Sequence, residues 1–152
     1  MEIMGLPLHP LVVHAVVVLV PLSALGGIVI SAWTAARKRY GWLTVAFAAA
    51  AAASTFVAEQ AGEAFAATFA RKTEAMETHI NLGGTLLVWV VILFVGTAAV
   101  MFAQRLIDQQ NPRGRVVLIA GGVITVISAV VSIVQVVRIG HSGSAAVWML
   151  NR

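Results

Sequence analysis

The chain contains no cysteine. That absence excludes disulfides, thiolate metal sites, iron–sulfur clusters and covalent haem attachment through a Cys-x-x-Cys-His motif. Charge is scarce too: 11% of the 152 residues are charged and 60% are hydrophobic. No G-x-G-x-x-G or phosphate loop occurs, which removes nucleotide-dependent enzymes. "GHSGS" at 140–144 lacks the closing glycine of a nucleophile elbow, and no strand precedes it, which removes the serine hydrolases. The net charge of +4 is carried by connections flanking apolar stretches, where it anchors and orients the chain rather than binding nucleic acid.

What is present in excess is apolar length. The mean hydropathy is +0.94, far above that of a soluble domain. Four stretches, about 11–33, 42–66, 80–104 and 116–138, are long enough to cross a hydrocarbon core that needs ~20 helical residues. They use nearly the whole chain and predict one all-α domain over 1–152, an integral membrane four-helix bundle running up-down-up-down. Its helices are expected at about 10–36, 41–70, 78–106 and 114–140. The first span reads as retained rather than as a cleavable leader, because its flanking charge is the acid Glu2, its apolar run is long and no small-x-small site follows.

Connections 34–41 and 105–115 carry Arg37, Lys38, Arg39, Arg105, Arg113 and Arg115 against one acid, Asp108. The other side holds Arg71, Lys72, Arg138 and Arg152 mixed with Glu74 and Glu77. The positive-inside tendency makes the first side cytoplasmic and both termini extracytoplasmic in a bacterial inner membrane. An Asn111-Pro112-Arg113-Gly114 turn joins the last two helices. Pro10 suits a first helical turn, whereas Pro21 is expected to kink the first helix. Gly26-Gly27, Gly121-Gly122 and the alanine run 48–53 let backbones approach closely. Trp33, Trp42, Trp89 and Trp148 read as interface anchors.

The ionisable residues on the other side form a pattern. Counted at 1.5 Å per residue from the basic connections, His14, Glu59, Glu63, His79 and His141 lie roughly 30–39 Å away. All four helices therefore bring a histidine or a carboxylate to one membrane boundary. Glu59 and Glu63 are spaced i, i+4 and share a face, which we expect to point inward. Ser128, Ser132, Gln135 and Arg138 are expected to line the interior face of the last helix, with Arg138 paired to one of the glutamates.

Neutral imidazole is the usual protein ligand for haem iron and for zinc, copper and iron ions. Gly83 and Gly84 beside His79, and Gly140 and Gly143 around His141, leave room for a flat macrocycle. His9 and His14 stand about 140° apart around a helix, so one centre takes both only if His9 lies outside regular helix, and His14 is the better ligand candidate. Three readings follow. The first is a redox protein holding haem b between two of His14, His79 and His141, with Arg138 toward a haem carboxylate or Glu59. The second is a non-haem zinc, copper or iron site using His14, His79, His141, Glu59 and Glu63. The third is a cofactor-free accessory subunit whose histidines are hydrogen-bonded boundary residues. No pattern assigns a catalytic activity.

"HPLVVH" at 9–14, "THINLGG" at 78–84 and "GHSGSAAVW" at 140–148 together resemble the DUF2231 family of bacterial four-helix predicted membrane proteins. The resemblance covers nearly the whole chain. It implies His9, His14, His79 and His141 as shared positions, and a redox setting, since relatives of this kind occur joined to Rieske-type or cytochrome c domains. A quinone, such a redox protein and the lipid bilayer are then the implied partners, with homo-oligomerisation left open. The Glu59/Glu63 pair is not a regular feature of the family, and the "SAAVW" tail departs from its commoner glycine-apolar ending.

Overall fold

A computed structural model describes residues 2–3, 6–68 and 74–150. A short antiparallel pair, β1 (Glu2–Ile3) and β2 (Leu6–Pro7), places Glu2 opposite Pro7. Four helices follow: α1 (Leu8–Ala32), α2 (Thr34–Ala66), α3 (Glu74–Asp108) and α4 (Gly114–Leu150). Each contains a stretch long and apolar enough to span a membrane, so the protein is all-α and multi-pass and contacts the lipid bilayer. The helices hold 25, 33, 35 and 37 residues. At 1.5 Å per residue even the shortest outruns a hydrocarbon core of about 30 Å.

The bundle closes as a ring in which α1 packs on α2, α2 on α3, α3 on α4 and α4 on α1, leaving α1 and α3 on a diagonal. Apolar side chains fill its axis. Val16, Val20, Ala51, Ala58, Leu86, Val90 and Val136 form one cluster, and Ala24, Leu93 and Ala129 a second. Inside lipid there is no water to drive helices together, so close backbone approach matters. At Gly121 an added Cβ would stand 3.2 Å from the Val100 backbone nitrogen, a seam that a larger residue would wedge apart.

The α1–α2 junction lies earlier than the sequence suggests. Only Trp33, in extended conformation, separates the two helices, and residues 34–41 are helical. The reason is Arg37. Its Nη1 donates to the carbonyls of Ile30 (2.9 Å) and Ser31 (3.1 Å), its Nη2 to Thr34 Oγ1 (3.0 Å) and its Nε to Gln104 Oε1 on α3 (2.9 Å). A helix ends with unsatisfied carbonyls and a partial negative charge. The Arg37 guanidinium supplies donors and charge to both, so α1 stops without a glycine or proline, and Arg37, one of the cations expected to anchor this connection, is only 4% exposed. Gln104 Nε2 in turn donates to Asp108 Oδ1 (2.9 Å), which Lys38 approaches to 3.5 Å.

The α3–α4 connection is a Schellman-type stop. Asn111 N donates to Leu106 O and Gln110 N to Ile107 O, both at 2.9 Å, with Gln110 at φ 57° in the left-handed region. Asn111 Oδ1 then accepts from Arg113 N at 2.9 Å, a side-chain turn that hands the chain to Gly114. Elsewhere α2 stops at Ala66, four residues short of its expected end, α3 begins and ends a few residues beyond its expected bounds, and α4 runs about ten residues further, no proline following Pro112. Arg71, Lys72 and Arg152 and the side chain of Trp148 lie outside the described residues.

Replacing Arg37 with Met keeps the aliphatic stem but removes every donor from Ile30, Ser31, Thr34 and Gln104. We expect a loss of about 2–4 kcal/mol in reversible unfolding of the reconstituted protein. Arg113→Met, at an exposed turn, should move the same measurement by under about 0.5 kcal/mol. Equal effects would mean that the buried guanidinium does not hold the junction.

Candidate functional site

At the end of the bundle away from Arg37, the starts of α1 and α3 and the later turns of α2 and α4 surround a cavity of about 430 Å³. Most of its wall is apolar, from Val13 and Val16 on α1 to Leu86 on α3 and Val136 on α4. The polar groups on it are His9, His14, Thr55, Glu59, Glu63 and His79. This combination, an apolar chamber with a few convergent polar side chains, is the usual form of a small-molecule or cofactor site.

His9 and His79 approach each other across the α1–α3 diagonal. Their ring centroids are 6.1 Å apart and the ring planes nearly perpendicular, at 82°. Each ring is anchored from behind. His9 Nδ1 lies 2.8 Å from the Ala58 carbonyl oxygen; a carbonyl only accepts, so Nδ1 donates. His79 Nδ1 lies 3.2 Å from Ser142 Oγ, whose own hydroxyl donates to Ile139 O at 3.0 Å. With that proton spent, Ser142 accepts from His79. Both neutral imidazoles therefore carry hydrogen on Nδ1 and keep the lone pair on Nε2, the tautomer of a histidine readied as ligand or base.

Glycine makes this possible at three contacts. A Cβ on Gly62 would come within 2.9 Å of His9 Nδ1 and Cε1, one on Gly143 within 3.1 Å of His79 Cε1, and one on Gly84 within 3.2 Å of Glu59 Oε1. Gly83 and Gly140 have nothing within 4 Å, so the space expected beside them is open.

The sequence-derived set divides accordingly. His79 and Glu59 are half-buried on the cavity wall, and Glu63 is exposed on it rather than pointing inward. His14 lies on the wall but is exposed, whereas its neighbour His9 faces His79. The preference for His14 over His9 is thus reversed in geometry, although His9 is helical: being the second residue of α1, it sits against the late turns of α2, where Ala58 fixes it. His141 is exposed and not on the wall. Among the described residues no group of three or more His, Asp or Glu side chains converges as a metal site.

The expected pairing of Arg138 with a glutamate does not form: Arg138 is exposed and makes no ion pair with Glu59 or Glu63. Ser128 and Ser132 are buried, as an inward stripe requires, and the half-buried Gln135 accepts from the exposed Thr85 Oγ1 of α3 at 3.0 Å. An i+10 position, however, is about 80° around the helix from Ser128 and about 120° from Ser132, which turns Arg138 outward. The sequence pattern also passed over Ser142, Gly62 and the Ala58 carbonyl. Ser142 stands out little in sequence because serine back-bonds to its own helix so often; a backbone carbonyl carries no sequence signal at all.

Gly62→Ala should drive the His9 ring off the Ala58 carbonyl and lower stability by about 1–3 kcal/mol, the usual range for overpacking. Gly140→Ala, which meets open space, should leave thermal unfolding unchanged or slightly improved. Identical behaviour of the two variants would refute the close packing of His9 on α2.

No curated protein and no solved structure matches the chain. The family model described as "Predicted membrane protein (DUF2231)" matches residues 5–151, nearly its whole length and all four helices. The architecture, four membrane-length helices with histidines opening the first and third, and this match agree: the chain belongs to the DUF2231 family of predicted membrane proteins.

Proposed function

We propose that this protein is a membrane redox carrier that holds haem b between His9 and His79. One observation carries the proposal: two imidazoles from opposite helices, each with Nδ1 anchored and Nε2 left as the lone-pair nitrogen, stand 6.1 Å apart on a shared apolar cavity. Two imidazoles bound to one ion at about 2 Å from each nitrogen have ring centroids about 5 Å apart at a tetrahedral angle and about 6.3 Å apart when they stand opposite each other. Haem iron asks the protein for only one or two ligands, whereas a non-haem ion asks for three or four. Two histidines face each other, and among the described residues no group of three or more His, Asp or Glu side chains converges, which suits the first better. Haem would supply one-electron chemistry; the protein would contribute the two nitrogens, the anchors behind them and a largely apolar wall.

In this reading the bundle runs up-down-up-down with both termini extracytoplasmic in the bacterial inner membrane. The basis is charge: six cations and one acid mark the Arg37 end, while the histidine end carries four cations, Arg71, Lys72, Arg138 and Arg152, mixed with Glu59, Glu63, Glu74 and Glu77. Electrons would pass between a quinone in the bilayer and an extracytoplasmic acceptor of Rieske or cytochrome c type. His14, Glu59 and Glu63 line the same cavity and serve proton exchange rather than ligation.

Oxidised and reduced visible spectra of the protein expressed with ample haem test this. We expect a Soret band that His9→Ala and His79→Ala abolish and that His14→Ala and His141→Ala retain. Ser142→Ala, which leaves the ligand but removes its support, should weaken haem retention by about tenfold. Stoichiometric zinc, copper or iron without porphyrin absorption would replace haem by an ion, and a sample with neither would leave an accessory role.

A further inference from the structure

At the basic end, the single acid is already engaged. Asp108 Oδ1 accepts from Gln104 and faces Lys38, and Arg37 is consumed by the α1–α2 junction. Arg39, Arg105, Arg113 and Arg115 are exposed and have no carboxylate partner among the described residues. Two of them are held in place by aromatic rings. Arg105 on α3 lies over Trp42 of α2, with Cζ 4.7 Å from the ring centroid, and Arg39 lies over Tyr40 at 5.5 Å.

Stacking has a specific consequence for the Arg105 guanidinium. The aromatic face takes one flat side of the group and leaves its N–H donors, which lie in the plane, unspent; none of them has a hydrogen-bond partner among the described residues. A planar fork held rigid with free donors is the arrangement that grips a phosphate through two oxygens. Its surroundings match the rest of a lipid. Phe102, one turn before Arg105, is 56% exposed and Leu43, next to Trp42 in sequence, is 53% exposed, so both helices of the seam present apolar side chains one step further into the span than the charge. Tryptophan itself favours the level of the headgroups. Gly41 brings the helices close enough for the stack: a Cβ there would collide with Met101 of α3.

The geometry points to a binding site for one anionic diacyl phospholipid in the α2–α3 seam, its phosphate on Arg105, supported by Arg39, and an acyl chain along Phe102 and Leu43. The site is independent of the haem proposal and lies at the other end of the bundle. It differs from general charge attraction in depending on one arginine rather than on the number of cations.

Quenching of tryptophan fluorescence by brominated lipids tests it in the full-length protein reconstituted in bilayers, with Trp33→Phe, Trp89→Phe and Trp148→Phe leaving Trp42 as sole reporter. We expect brominated phosphatidylglycerol to occupy the site about fivefold more readily than brominated phosphatidylcholine, in keeping with one basic contact. Arg105→Gln should abolish the preference, Arg105→Lys should remove most of it, and Arg113→Gln should leave it intact. Should Arg105→Gln fail to insert, Arg105→Lys decides, since it keeps the charge and loses only the fork. Equal quenching by the two lipids, a preference that survives in both Arg105 variants, or an equal loss in Arg113→Gln would overturn the assignment. Displacement by millimolar inorganic phosphate would also overturn it, naming a free anion as the occupant.

Discussion

A bundle that lives in hydrocarbon must answer every polar atom from within, because no water is at hand to do so. Much of this structure follows from that constraint. Ser23, Thr55, Thr125 and Ser128 are buried and return their hydroxyl protons to carbonyls of their own helices, which lets polar residues sit at the axis without loosening the packing. Arg37 meets the same demand at larger scale, carrying a charge into the interior by spending its donors on the carbonyl end of α1 and on Gln104. Ser132 Oγ, buried without a partner among the described residues, is the local exception.

Against that background, the histidine end is distinct. His9 and His79 have their Nδ1 protons accounted for, yet each keeps a lone-pair nitrogen beside an apolar chamber. The diagonal placement of α1 and α3 matters here: neighbouring helices pack too tightly to hold a chamber between them, whereas opposite ones face each other across the axis. Small residues on α2 and α4, Gly62 and Gly143, give the rings their seats, and the apolar cluster of Val16, Val20, Leu86 and Val90 lies between the cavity and the middle of the bundle.

The two ends thus use charge differently. The basic end places its acid and its buried arginine in a closed network and leaves stacked arginines at the surface, an arrangement for phosphate. The other end gathers histidines and carboxylates around a largely apolar space. Both rest on helix registers that the short connections hold, since Trp33 alone joins α1 to α2 and five residues join α3 to α4.

Four spans, the all-α class and the gathering of histidines and carboxylates at one end are determined by the sequence itself, because they depend on apolar run length and on position along a helix of known rise, both of which are local properties. Which histidine faces which is not local. His14 looked better placed than His9 by angle alone, but the choice belongs to the Ala58 carbonyl and to Gly62 on another helix. The same holds for Arg37, whose burial depends on α1 ending at Ala32 and on Gln104 arriving from α3, and for Arg138, which stands about 80° around α4 from Ser128 and is exposed. Helical phase accumulates error with distance along the chain, and contacts between helices depend on the relative rotation of two such phases, so only the packed bundle decided them.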